Sequence, residues 1–345
     1  MRFAHWLPTI FLFACSLLSA QQVMRVVSSV PLPDAWNRID YARPSCGPKG
    51  DFIARQMADP TELPHELVHI DAKGALLGQI ELHQIGGFEN GTIDDAALDS
   101  RGEIVLLVRK VRSSRPTRVD DEGRPRGMSF SMELASWVLT VDDSARLLSK
   151  FSFDQRIVAG LQFALFHSGN VLVPGRISQH GEPAEFGAAI FSPAGGVLAI
   201  KRLPFEDGMY AGAQLRPVPG DGEEVYVTHL GTGPYVFKVS ADGTVGPKVM
   251  LPVPEDERAT VLKIEGNRAL AWISGAKSPP AGMIGRASNW QPEAVFDTES
   301  GTLVDTLLVP QGEEGPICYS DSGITFVRSH PHAMLDVLGP NPVPH

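Results

Sequence analysis

Several familiar signals are missing from this sequence. No long stretch keeps apolar residues at helical spacing between recognisable caps, which argues against an α-rich fold. There is no Walker loop, no dinucleotide fingerprint and no nucleophile elbow. Nucleotide binding and serine-hydrolase chemistry therefore have no motif to rest on. Positive charge is scarce: 30 Lys and Arg stand against 40 Asp and Glu, a formal net charge of −10. That balance argues against nucleic acid and anionic membrane as partners. Cysteine is nearly absent, with three in the chain. One of them, Cys15, lies in the N-terminal apolar stretch.

Turn formers are plentiful instead. The 345 residues include 34 Gly and 28 Pro, which suits many short strands joined by turns. The first twenty residues read as a secretory signal: Arg2, an apolar run from Trp6 to Leu18, then Leu18-Ser19-Ala20 before Gln21. The run is too short to span a membrane comfortably. Leu12-Phe13-Ala14-Cys15 is a degraded lipobox, so lipoprotein anchoring at Cys15 is the lesser alternative to a freely exported protein, periplasmic or extracellular. Residues 21–345 are expected to form one domain with no transmembrane segment.

One hairpin sentence recurs. VFDTESGTLVDTLLVP, Val295 to Pro310, reads as strand, tight turn, strand and proline stop. HELVHIDAKGALLGQIEL from His65, WVLTVDDSARLLSKFSF from Trp137, AAIFSPAGGVLAIKRLP from Ala188 and YVFKVSADGTVGPKVMLPVP from Tyr235 repeat it. A second hairpin type alternates with the first: ARPSCGPKGDFIAR from Ala42, AALDSRGEIVLLV from Ala96, LQFALFHSGNVLV from Leu161, AQLRPVPGDGEEVYV from Ala213, TVLKIEGNRALAWI from Thr260 and PICYSDSGITFV from Pro316. Each has a Gly-bearing turn between short apolar strands. Paired, they make units of roughly fifty residues, the period of a propeller or similar array. Five units are complete, and a sixth lacks its fourth strand. The orphan segment Val23 to Pro33 supplies it. The sequence therefore predicts an all-β, six-bladed β-propeller closed by an N-terminal strand joining the last blade.

On these repeats the chain resembles the six-bladed propellers of the NHL, YWTD and TolB-like group. AALDSRGEIVLLV is similar to an NHL-type inner hairpin and VFDTESGTLV to an outer one. Clean NHL repeats are lacking, and 8% aromatics is low for a WD40-type ring. The resemblance implies fold but not function, because such propellers include lactonases, lyases and binding scaffolds.

In a meander A-B-C-D, the A–B and C–D turns share one face and the B–C and D–A loops the other. Length variation falls on the B–C loops, at Val111 to Met132, Gly175 to Phe186, Ser274 to Gln291 and Ser329 to Ala333. The binding surface is expected there. The D–A loops carry Asp34, Glu89, Asp154, Glu206-Asp207, Glu255-Asp256 and Glu313-Glu314. These are either carboxylates around the channel mouth, suited to a cation, or soluble turn formers. Arg112, Arg115, Arg118, Arg124 and Arg126 make one loop basic, which fits carboxylate or phosphate groups or only a solvated loop. Arg286 and Trp290 offer a lid on blade five. His180, His229, His330 and His332 lie in or beside B–C loops and are candidate metal ligands, or simply exposed polar residues.

His65-Glu66-Leu67-Val68-His69 matches the HExxH pattern, but that chemistry needs a helix. A strand sets the two histidines about 13 Å apart. Asn90-Gly91-Thr92 is a glycosylation sequon. Cys46 and Cys318 hold near-equivalent places in blades that neighbour each other across the closure. They are either a disulfide or two buried thiols. The functional expectation is an exported binding module that takes a protein, peptide or glycan through the B–C/D–A face. The alternative is a metal-dependent hydrolase or lyase at the channel mouth, for which a divalent cation is the cofactor to consider.

Overall fold

Seven of the hairpins share one turn geometry. In a computed structural model of the chain, the N–H of residue i donates to the carbonyl of i+4, and the N–H of i+3 donates back to the carbonyl of i. The pattern occurs at Gly47, Asp71, Asp99, Asp142, Phe166, Ser192 and Ser240. It is a type I turn closed by a left-handed residue, which keeps the strand twist continuous through a three-residue loop. The left-handed position is Gly50, Gly74, Gly102, Gly169, Gly195 or Gly243, and Ala145 in the remaining case. Three of the turns are braced by an aspartate. Asp71, Asp99 and Asp142 each accept two backbone N–H groups on Oδ1, at 2.7 to 3.0 Å.

The structure describes residues 20–32, 39–56, 66–116, 130–154, 158, 160–177, 185–203, 215–229, 233–254, 258–274, 290–310, 313–320, 323–328 and 332–340. At 20–21, 39–44, 56, 111–116, 130–134, 274, 290–292, 313–315 and 320 the backbone alone is described. The fold is an all-β propeller. β1 is Ala20–Pro31. β2 (Ile39–Cys46), β3 (Phe52–Gln56), β4 (Glu66–Ile70) and β5 (Leu76–Glu81) form the first four-stranded sheet. β6 (Thr92–Leu98), β7 (Ile104–Pro116), β8 (Phe130–Val141) and β9 (Leu147–Phe153) form the next. β10 (Ala164–Leu165), β11 (Val171–Ile177), β12 (Glu185–Phe191) and β13 (Val197–Arg202) follow. β14 (Leu215–Pro219), β15 (Glu224–His229), β16 (Tyr235–Ser240) and β17 (Val249–Met250) complete the four small sheets.

The rest is one eight-stranded mixed sheet. It contains β18 (Arg258–Glu265), β19 (Arg268–Ser274), β20 (Trp290–Asp297), β21 (Leu303–Pro310), β22 (Glu313–Ser320), β23 (Gly323–Arg328) and β24 (Met334–Pro340). Its order is β18-β19-β20-β21-β1-β24-β23-β22. The N-terminal strand is the hinge of that order. Ala20 to Val23 run parallel to Asp305 to Leu308, and Met24 to Pro31 run antiparallel to Pro340 to Met334. Pairing with the last strand matches the sequence expectation. The parallel pairing with β21 was not foreseen.

Apolar faces of successive sheets pack on one another. Val105, Leu107 and Val138 meet Phe163, Val173 and Phe191. Tyr226 and Val236 meet Ala269, Ala271 and Phe296. Phe52, Val68 and Ile70 meet Ile317, Val327 and Leu335, which brings the first sheet against the last. The Cys46–Cys318 disulfide crosses the same seam, with Cα atoms 5.3 Å apart. Under the closing strand lies an ionic cluster. Asp336, fully buried, accepts from the Ser29 hydroxyl and from Arg328 Nε at 2.8 Å.

Three local readings are corrected. β7 and β8 stay paired as far as Pro116 and Phe130, so Arg112 and Arg115 belong to a strand and not to an irregular loop. Arg118, Arg124 and Arg126 lie outside the described residues. Trp290 opens β20, pairing with Pro310, and is not a loop residue. Glu313 and Glu314 pair with Arg328 and Val327 within β22, so they are not in a D–A loop. In each case cross-strand hydrogen bonding extends beyond the apolar core that marks a strand in the sequence.

Two glycines test the packing. A Cβ on Gly301 would lie 2.1 Å from the Met250 carbonyl oxygen, whereas one on Gly222 meets nothing within 4 Å. Both have positive φ. Gly222→Ala should therefore lose only the left-handed penalty, about 1 kcal/mol, and Gly301→Ala at least roughly twice that. Urea unfolding of the two variants checks the difference. Similarly, Asp336→Ala should lower stability by about 3 kcal/mol, because it strips charged hydrogen bonds from the closing strand. A loss below about 1 kcal/mol would mean the cluster does not hold β1.

Candidate functional site

Inner strands of a propeller face the axis, and a charged residue there is expensive unless something meets it. Three inner strands carry such residues within apolar surroundings: Asp94 and Asp95 in TIDDAAL, Arg216 in LRPVP and Lys263 in RATVLKIE. Two of these strands are bulged at that point. The register of β6 shifts between Ile93 and Asp95, and that of β18 between Val261 and Lys263. A bulge sets two consecutive residues against one and re-aims their side chains.

The result is a cavity of about 260 Å³ on the axis, lined from β2, β6, β14, β18 and β22 and from the segment leading into β10. Its polar walls are Ser45, Asp95, Gln162, Arg216, Lys263 and Tyr319. The lining residues come from the middle of the inner strands and from their ends nearest the A–B turns. Cys46, half of the disulfide, lines it too.

The charges divide into two groups. On one wall, Asp95 Oδ1 lies 3.2 Å from Arg55, and its Oδ2 accepts the Phe163 N–H at 3.0 Å. Behind it, buried Asp94 accepts from Arg109 at 2.7 Å, and Arg55 donates to the Asp94 carbonyl. Burial pushes the Asp94 carboxyl up to about 6, against the pull of Arg109 and Arg55. On the opposite wall, Lys263 shares the cavity with Arg216. Burial first and the Arg216 charge second push its ammonium down to about 7.

The chain matches no family model and no curated protein. Among solved structures it is similar to three propeller-containing or uncharacterised proteins at low identity. One is a protein of unknown function from Bacteroides caccae, at 14% identity and TM-score 0.43, covering 78% of this chain and 82% of that one. Another is the Pyrococcus horikoshii acylaminoacyl peptidase, at 11% and 0.44, covering 84% of this chain and 42% of that one. The third is the β-propeller domain of the Trilobed protease from Pyrococcus furiosus, at 10% and 0.43, covering 87% and 78%. Likeness at this level carries no statement about activity.

The residues singled out from sequence do not gather into one site among the described residues. Glu89 is exposed and serves its own turn, accepting the Gly87 N–H at 2.8 Å, which holds its carboxyl below the usual range. Asp154 is exposed. Glu314 lies in β22, with its side chain outside the description. Asp34, Asp207, Asp256, Arg286, His180 and His330 lie outside the described residues. His229 is buried at the end of β15, stacked on Tyr235 with ring centres 4.6 Å apart. His332 is exposed beside β24. Among the described residues, no three His, Cys, Asp or Glu side chains are grouped to hold a metal ion.

Glu66 to His69 of the HExxH pattern lie in strand β4, and His65 lies outside the described residues. His69 sits in β4, paired with Ile53 and Gly78. Its ring bridges two sheets, with Nε2 2.9 Å from Asp51 and Nδ1 2.6 Å from Asp143.

Asp94 gives a signed pH prediction. Its folded pKa is raised from 3.8 to about 6, so its contribution is complete below 3.8 and disappears as pH rises through about 6. The wild type should therefore lose stability over that window relative to Asp94→Asn. Parallel denaturation curves for the two proteins across the window would contradict the burial argument.

Proposed function

We propose that this is an exported six-bladed propeller that works as a binding module, with its ligand seated in the central channel. The blades are β2–β5, β6–β9, β10–β13, β14–β17, β18–β21 and β22–β24 completed by β1. The observation that carries the reading is the axial cavity: six polar side chains, five from different inner strands and one from the segment leading into β10, converge in a space of about 260 Å³. Convergence of a few polar groups in one concave site is the usual form of a small-molecule pocket. A concave space of this size suits a small molecule. This reading seats the ligand on the axis and differs from the B–C/D–A loop face expected from the sequence. Protein, peptide or glycan partners of the rim remain compatible with a channel ligand. A hydrolase or lyase built on a divalent cation is the second reading, resting on the D–A carboxylates.

Native mass spectrometry of the purified protein tests the first reading. A small molecule should remain on the wild type and be absent from Leu262→Trp, which narrows the cavity from the bulge in β18. A ligand that persists on Leu262→Trp would place the site elsewhere. Elemental analysis showing one tightly held divalent cation per chain would favour the second reading.

A further inference from the structure

We propose that the protein carries a second binding site, a cleft between the sheets β6–β9 and β10–β13 that takes a neutral sugar. It lies on the face of the A–B and C–D turns, away from the variable loops, and it does not depend on the channel reading. Its origin shows when the repeats are compared. Two residues before successive C–D turns stand His69, Thr140 and Ile190. The second residue of the next sheet's C–D turn is Asp143, Pro193 and Ala241 respectively. At the first seam His69 is tied to Asp143 at 2.6 Å. Its strand partner Gly78 lets that turn come close: a Cβ there would lie 2.6 Å from the Asp143 carbonyl oxygen. At the third seam Ile190 and Ala241 share one apolar cluster. At the second, the shorter Thr140 stands in place of the histidine, its partner is Ser149 and not glycine, and Pro193 has no polar side chain to bridge the gap. That seam stays open as a cleft of about 370 Å³, a size within the range of small-molecule pockets.

The lining divides into a floor and a rim. Val105, Val138, Phe151, Leu165 and Val171 make a buried apolar floor. Ser100, Arg101, Thr140, Ser149 and His167 stand around it. The Ser149 hydroxyl donates to Thr140 Oγ1 at 3.0 Å, and the Ser100 hydroxyl to the His167 carbonyl at 3.3 Å, so both serines present lone pairs as acceptors. Thr140 keeps its own O–H as a donor. Arg101 spends Nε and Nη2 on Asp99 and Glu103, which leaves Nη1 to donate. A sugar matches this arrangement, because its ring carbons offer C–H surface to the floor and its hydroxyls both donate and accept. A carboxylate or phosphate brings acceptors alone. It would meet the serine lone pairs and the Asp99 carboxylate, which also lines the cleft.

Titrations followed by saturation-transfer NMR test the site, with glucose, galactose, mannose and N-acetylglucosamine as probes and benzoate and citrate as anionic competitors. At least one of the sugars should receive saturation, and neither anion should displace it. Thr140→His combined with Pro193→Asp rebuilds the bridge of the first seam and fills the cleft, so it should abolish binding. Arg101→Ala and His167→Ala change exposed side chains and keep the test open if the double variant fails to fold. Each should weaken binding about tenfold. Leu262→Trp, which narrows the axial cavity, should leave sugar binding unchanged. Sugar binding that Leu262→Trp abolishes and the Arg101 and His167 variants spare would move the sugar to the channel and overturn this site. Displacement by benzoate or citrate, or no saturation transfer to any of the four sugars, would also overturn it.

Discussion

A ring of sheets needs one join that local chain order cannot make. Here the join is β1, which hydrogen-bonds to β21 along its first part and to β24 along the rest. It brings backbone pairing from residues near 20 to residues near 340, and the ladder otherwise ends there. Two further bonds cross the same region. Asp336 ties Ser29 and Arg328 together beneath the strand, and the Cys46–Cys318 disulfide links the inner strands on either side of the seam. With a sequence separation of 272, that disulfide restricts the unfolded chain by up to about 5 kcal/mol in the loop-entropy model.

Closure is what makes the axis usable. An open stack of sheets would let the inner strands splay, and buried charges there would find water. In a closed ring they are held against one another. Asp95 is matched by Arg55 from the neighbouring sheet, and Lys263 faces Arg216. The bulges in β6 and β18 add the local freedom to aim these side chains inward without breaking the ladders. Scaffold and site are therefore the same strands, which is why the charge pattern of the inner strands says more than that of the loops.

Much of the scaffold was legible in the sequence. Asp and Gly at fixed spacing mark the turns because only a left-handed residue closes this hairpin, and the carboxylate holds the turn amides. Val23 to Pro33 announced itself as a strand without a partner. The parallel contact with β21 was not legible, because it depends on which edge lies nearby once the ring has formed. The basic, serine-rich end of β7 looked like loop because it carries no alternating apolar face, yet its backbone from Ser113 to Pro116 still pairs with Phe130 to Glu133 of β8. The axial cavity was not legible for a different reason: loop length drew attention to the rim, whereas the cavity's polar lining comes from charges set within apolar inner strands, as at Lys263, Arg216 and Asp95.

The most direct test of this account is native-state hydrogen exchange of β1. If β1 is the join, the protected amides from Met24 to Val30 should exchange only with global unfolding, with the same free energy and denaturant dependence as those of β23. Exchange of β1 through a local opening, well below that of β23, would contradict closure by the N-terminal strand.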